Sequence, residues 1–210
     1  MAIIELAYPQ LKKDAELIRA AEPEMIPLIL KALQEAGAVN GLRGFIHSED
    51  GRDVTTDVRE VLLLEWPSAS KFRDFLTSPL YLEFAERIKS VSDGPPIFKL
   101  HETSDSSKLF GSDTILEVLE IRPNERVTEE DVQGILHTVQ SGFEKLNSPK
   151  AVYGSSLNLD KKEVVVIGVF ANDAELDAAQ VASSRPEMLA HVGGSAMVTR
   201  LIAHVGRVPL

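Results

Sequence analysis

In the stretch GLRGFIHS, residues 41 to 48, a strand's alternation puts Arg43, Phe45 and His47 on one face and Leu42, Gly44 and Ile46 on the other. A cation, an aromatic ring and an imidazole on one face suit an anionic or enolisable aromatic substrate. His47, whose ring titrates near neutrality, is the first candidate for a general base. Two carboxylates, Glu5 in IIELAY and Glu65 in REVLLLEW, interrupt apolar runs. Facing an interior cavity, either has its pKa raised by desolvation and can act as a base; facing water, either is only solubilising. Tyr81 can donate a hydrogen bond to a substrate carbonyl, while its ordinary pKa of about 10 makes it a poor base. Trp66, the single tryptophan, ends an apolar run just before a helix start at Ser68, and by position alone such a ring reads as core or as a pocket wall.

Of the other histidines, His137 falls off the apolar stripe of its helix and reads as solvated, and His191 beside Met188 and Val192 reads as packed. His101 and His204, at matching places in last strands, read as a structural pair near exposed strand ends, with His101 kept as a substrate-side candidate. No histidine and carboxylate spacing typical of metal sites occurs, HVGGSA follows a helix rather than opening one, and there is no nucleophile elbow. The expectation is a site that uses no cofactor and no metal.

These residues sit in an ordinary globular chain of 210 residues, 44% hydrophobic and 26% charged. The formal charge of −10 argues against nucleic acid and anionic membrane surfaces as partners. The absence of cysteine removes disulfides, thiolate metal sites and cysteine nucleophiles. The N-terminus lacks a signal-peptide pattern and no apolar run approaches a membrane span, so a cytoplasmic location is expected.

The Ser- and Asp-rich HETSDSSKLFGSDT reads as a linker, separating a first unit at 1–102 from a second at 114–210, with 103–113 between them. Each side repeats one order. The first half has strands at 3–8, 41–48, 59–66 and 96–101 with helices near 23–36 and 69–90. The second has strands at 115–121, 151–159, 163–170 and 196–205 with helices near 128–146 and 173–192. Thr128, and Asn172 with Glu175, are helix-start signals, and Ser68 sits at the matching place in the first half. Gly44 aligns with Gly154, Asp50 with Asp160, Trp66 with Phe170 and His101 with His204. The β-α-β-β-α-β order of each half is the ferredoxin-like arrangement, so the expected fold is α+β: two such units whose antiparallel sheets pack into an α/β barrel.

With Trp66 closing a strand, Ser68 opening a helix, Phe72 and Phe75 within it, a Ser78-Pro79 break and a Gly-Pro before the last strand, residues 61–102 resemble the antibiotic-biosynthesis monooxygenase domains of the dimeric α/β-barrel superfamily. The second half keeps the pattern in degraded form, with Phe170 for the tryptophan and Arg185-Pro186 for the break. The resemblance implies a fused pseudo-dimer, with a homodimer as a further possibility. It also implies a small hydrophobic, polyketide-like substrate and cofactor-free chemistry. The haem-degrading members need a histidine after the break and an asparagine on the first strand, and neither is present. The position that holds a histidine in the plant-type cyclases is Tyr81 here and Met188 in the second copy. Three functions follow from the resemblance: acid/base cyclisation or isomerisation with His47 as base and Tyr81 as donor, cofactor-free oxygenation, or a barrel without chemistry. In the first two, Trp66, Arg43, Phe45, Glu5, Glu65 and His101 line the substrate.

Overall fold

A computed structural model describes residues 2–104, 106, 109–111, 115–124, 128–145, 151–159, 162–181, 190 and 192–210. Its first half runs β1 (Ala2–Tyr8), α1 (Ala15–Ala36), β2 (Asn40–Glu49), β3 (Arg52–Asp53), β4 (Glu60–Trp66), α2 (Ala69–Leu76), α3 (Pro79–Ile88) and β5 (Ile97–Thr103). Its second runs β6 (Ile115–Pro123), α4 (Glu129–Lys145), β7 (Ala151–Ser156), β8 (Val164–Phe170), α5 (Asp173–Val181) and β9 (Ala196–Arg207).

Eight antiparallel strands close in the order β2-β4-β1-β5-β7-β8-β6-β9 and back to β2, with the two-residue β3 attached to β2. Each half contributes four neighbouring strands in ferredoxin-like order, and the two sheets join at the β5–β7 and β9–β2 seams, which leaves no long free edge. Alternation divides each strand between two cores. Ile4, Leu6, Leu42, Ile46, Val61 and Leu63 fill the lumen with Val118, Val165, Ile167 and Leu201. The opposite faces carry Leu64, Trp66 and Leu100 against Ala32, Leu33, Phe72 and Phe75 of the helices.

Helix starts follow the side-chain chemistry at their caps. Ser68 Oγ accepts from Lys71 N at 3.3 Å, Thr128 Oγ1 from Asp131 N at 3.2 Å and Asn172 Oδ1 from Glu175 N at 3.0 Å. Helix α1 begins well before the expected residue 23. Asp14 caps it, accepting from Leu17 N at 3.0 Å, and Pro23 and Pro27 lie inside it. The segment read as a linker is not wholly solvated either, because Leu109 and Phe110 are buried in the lumen cluster. Asp160, Arg185, Pro186, Met188 and His191 lie outside the described residues.

The seams explain two glycines. A Cβ on Gly44 would lie 1.8 Å from the His204 carbonyl oxygen, and one on Gly154 would lie 2.1 Å from that of Glu102. Only a residue without a side chain lets the sheets approach this closely. Gly44→Ala is therefore expected to destabilise the protein by about 3 kcal/mol or more in urea unfolding. Gly134→Ala, on α4 with open space around it, should instead stabilise it by roughly 0.5–1 kcal/mol.

Strand register fixes the equivalences between the halves. Ile3 pairs with Trp66 as Ile115 pairs with Phe170, so Glu5 corresponds to Glu117. Ile3 also pairs with Glu102 as Ile115 pairs with His204, so His204 corresponds to Glu102 and not to His101. A one-residue offset reverses the face of a strand residue. His101 accordingly points into the lumen and is fully buried, contrary to an exposed strand end, while His204 is exposed on the outside.

Candidate active site

Two adjoining cavities lie between the first half's sheet and its helices α1 and α3. The larger, about 340 Å³, is lined by one flank of α1, by Arg43, Glu60 and Leu62 of the sheet, by Phe84 and Ile88 of α3, and by residues 206–209. The smaller, about 50 Å³, contains Glu5, Phe75, Tyr81 and Phe98. They share Pro9, Ile29, Leu33, Leu62, Phe84 and Ile88, so they form one apolar space with a wide outer part and a narrow inner end.

Glu5 is 1% exposed and is pushed up to about 8 by burial, against the opposing effect of a hydrogen bond from Trp66. That bond, from the indole Nε1 to Glu5 Oε2 at 2.6 Å, is the carboxyl's one hydrogen bond among the described residues. Trp66 is held edge-on by Phe72, with ring centroids 5.8 Å apart, and at a tilt by Phe75 at 5.2 Å. It is 2% exposed and lines neither cavity, so it is a support behind the carboxylate and not the expected pocket wall.

The helix break positions Tyr81. Ser78 Oγ accepts from Tyr81 N at 3.2 Å, Pro79 opens α3, and the Tyr81 ring packs against Phe75 and Phe98 with centroids 4.7 and 6.3 Å away. Burial and the nearby Glu5 carboxylate both raise the Tyr81 pKa. The phenol therefore keeps its proton at neutral pH and can donate it in a hydrogen bond. The inner end thus joins a carboxyl that ionises near neutrality to a neutral hydroxyl donor, within apolar walls.

The second half has the same strand position without this chemistry. Glu117 corresponds to Glu5, but Phe170 stands for Trp66, and Arg200, at the position of Phe98, pairs with Glu117 at 2.6 Å. A carboxylate neutralised by a guanidinium is a structural pair. Glu5, with an indole N–H and no cation beside it among the described residues, is the exceptional one of the two.

The other expected residues are dispersed. Arg43 lines the outer cavity, bonded to Glu22 at 2.7 Å and to Glu60. Phe45 and His47 share its face, as alternation requires, but lie farther along β2, beside His204, and line neither cavity. Phe45 is exposed, and His47 packs against His204 with ring centroids 4.5 Å apart. Partial burial and then His204 lower the His47 pKa. His47 and Tyr81 therefore do not form the expected base and donor pair. Glu65 points toward the barrel end, accepting from Asn40 Nδ2 at 2.7 Å and from Ser106 Oγ at 2.5 Å. His101 belongs to a polar cluster in the lumen: Lys99 meets Glu120 at 2.7 Å and Glu163 at 3.0 Å, Tyr8 donates to Glu120 at 2.9 Å, and Arg122 bonds both glutamates. Burial opposes ionisation of Glu163, yet His101, Lys99 and Arg122 hold it at about 2.

Glu22 and Glu60 carry little signal in the sequence: Glu60 opens a strand and looks like its solvated end, and Glu22 precedes Pro23, an ordinary mark of a helix start. Among the described residues no cluster of three or more His, Asp or Glu is placed to hold a metal ion, and no helix is long and apolar enough to cross a membrane.

Neither a family model nor a characterised protein sequence matches the chain. Solved structures do. A proposed monooxygenase of Fusobacterium nucleatum aligns over 97% of this chain and 92% of its own, with TM-score 0.66 and 13% identity. An anthrone oxidase-like protein aligns over 100% and 94%, with TM-score 0.60 and 13% identity. A chlorite dismutase variant from Candidatus Nitrospira defluvii aligns over 97% and 91%, with TM-score 0.61 and 10% identity. At such identities the likeness is one of fold.

Proposed function

We propose that the chain is a small-molecule enzyme, a fused pair of ferredoxin-like units in which the first unit carries an acid/base site. Glu5 removes a proton from a carbon beside a carbonyl, or from a phenol, on an apolar substrate held between sheet and helices. The Tyr81 hydroxyl donates a hydrogen bond to the oxygen on which negative charge develops, and Trp66 fixes the direction of the carboxylate. The carrying observation is the Glu5 carboxyl, buried in an apolar end with an indole N–H as its one partner among the described residues. With a pKa of about 8, roughly a tenth of it is ionised at pH 7, and desolvation makes that fraction a strong base.

Returning the proton at another position of the substrate gives isomerisation, or cyclisation if the carbanion attacks a second carbonyl. Reaction of the same anion with dioxygen gives the second reading, cofactor-free oxygenation, which gains support from the names of the monooxygenase-like and anthrone oxidase-like structures. Both begin with the same proton transfer, so one experiment sorts them. Enolisable bicyclic and tricyclic ketones are incubated with the protein in deuterium oxide while an oxygen electrode records uptake. Exchange of deuterium into the substrate without uptake favours isomerisation, and stoichiometric uptake favours oxygenation. Failure of every such ketone to exchange or consume oxygen above the Glu5→Gln background counts against the proposal. Tyr81→Phe should slow exchange about tenfold to a hundredfold while the pH midpoint stays near that of the parent.

A further inference from the structure

The outer cavity is largely apolar, and its charged side chains gather where Arg43 of β2 lies between Glu60 of β4 and Glu22 of α1. Glu60 is 6% exposed, and its pKa is raised by burial in spite of Arg43. Burial works against the charge on Arg43, but Glu60 and Glu22 more than offset it. Two carboxylates thus share one guanidinium. The remaining charged residue of the lining, Arg207, does not balance them: two residues on from Val205, it shares that residue's lumen face, and its guanidinium donates to the carbonyl of Phe110 in the lumen cluster. The cavity wall is left with one carboxylate in excess and with acceptor oxygens that a single guanidinium cannot saturate.

The fold does not require this cluster. By register Glu60 corresponds to Val164 and Arg43 to Tyr153 in the second half, where Val164 is fully buried in an apolar core. A buried ion cluster is commonly no more stabilising than well-packed apolar residues, so its presence on a cavity wall calls for a ligand. The inner end, about 50 Å³, is too small for more than the reacting edge of a ring, and the body of the ligand must occupy the outer part beside these groups.

Building on the acid/base reading of the inner end, we infer that Glu22, Arg43 and Glu60 form a recognition site for a cationic or hydrogen-bond-donating group on the ligand, remote from the carbon that reacts. The molecules suited to it are apolar ring systems bearing an amine or hydroxyl at the far end. Those bearing a carboxylate there are excluded by the charge excess.

The test is a binding measurement that needs no turnover. Naphthylmethylamine, naphthylmethanol and naphthoate share one ring system and present a cation, a neutral donor and an anion. Their affinities are measured calorimetrically at pH 7.5 with the parent protein, Glu5→Gln, Glu60→Gln and Glu22→Gln. The amine should bind at least about tenfold more tightly than naphthoate to the parent and to Glu5→Gln alike, with the alcohol between them. That preference should shrink severalfold in Glu60→Gln and in Glu22→Gln, the latter a partly exposed position whose substitution leaves the core intact. Equal affinities, tighter binding of naphthoate, a preference unchanged in both glutamine variants, or no binding of any of the three would each overturn the inference. A charge preference that survives alongside absent Glu5-dependent exchange would count against the acid/base reading alone.

Discussion

Glu5→Gln is expected to lower the rate of substrate proton exchange about 10³-fold, within the range over which a positioned general base acts, with little change in substrate affinity. Glutamine keeps the volume of the side chain, and its amide oxygen can still accept from the Trp66 indole, so the loss falls on the proton transfer. The same substitution should alter stability in a pH-dependent way. The folded protein holds the Glu5 proton up to about 8, whereas the unfolded chain releases it near 4.5. Between these values the folded state binds more protons than the unfolded one. The contribution of Glu5 to stability is therefore fully present below about 4.5 and is lost as pH rises through about 8, with a limiting slope of about 1.4 kcal/mol per pH unit. Urea unfolding of Glu5→Gln should lack this decline, leaving the variant more stable than the parent at pH 9.

Trp66→Phe should move the pH–rate profile to higher pH and destabilise the fold. The indole N–H stabilises the ionised carboxyl, and without it burial raises the Glu5 pKa further. The rate at pH 7 should fall as the ionised fraction falls and should recover in part at alkaline pH, a pattern that a merely structural loss would not produce. Phenylalanine also fills less of the space between Phe72 and Phe75, and with the lost hydrogen bond this should cost about 2–3 kcal/mol in urea unfolding. The strand itself tolerates the change, since Phe170 holds the equivalent place in the second half.

The architecture was legible because its determinants are local. Alternation in β2 and β4, the Ser68 cap and the Ser78-Pro79 break are properties of neighbouring residues, and they placed Tyr81 on a defined turn of a helix. Three features were not local. Helix α1 continues through Pro23 and Pro27, although proline ordinarily marks a helix start or end, so α1 reaches farther over the sheet than its prolines suggest. The lumen position of Leu109 and Phe110 depends on a closed barrel, which a Ser- and Asp-rich composition does not reveal. The match of His101 with His204 depends on strand register, and pairing makes Glu102 the counterpart of His204 instead, a slip of one residue that puts His101 in the lumen.

The site was half visible for a related reason. Glu5 stood out as a carboxylate in an apolar strand, but Ile4 and Leu6 on one side and Ile3 and Ala7 on the other gave both faces an apolar character. Which face met a cavity was decided by helix packing. Imidazole is the usual neutral-pH base, which favours His47 in the sequence, yet burial brings a carboxylate toward that range instead. Arg43 and His47 do share a face, but the helix-lined cavity reaches only the Arg43 end of β2, and His47 at the far end packs against His204 of β9.

Whether Glu5 holds its proton into the neutral range is read by direct titration. Carbon NMR of protein labelled at the glutamate side-chain carboxyl, with Glu5→Gln to identify the signal, should show one resonance with a midpoint at about 8, moving higher in Trp66→Phe. A Glu5 midpoint in the ordinary carboxylate range, near 4.5, would mean that Glu5 is ionised throughout the neutral range and is not the base.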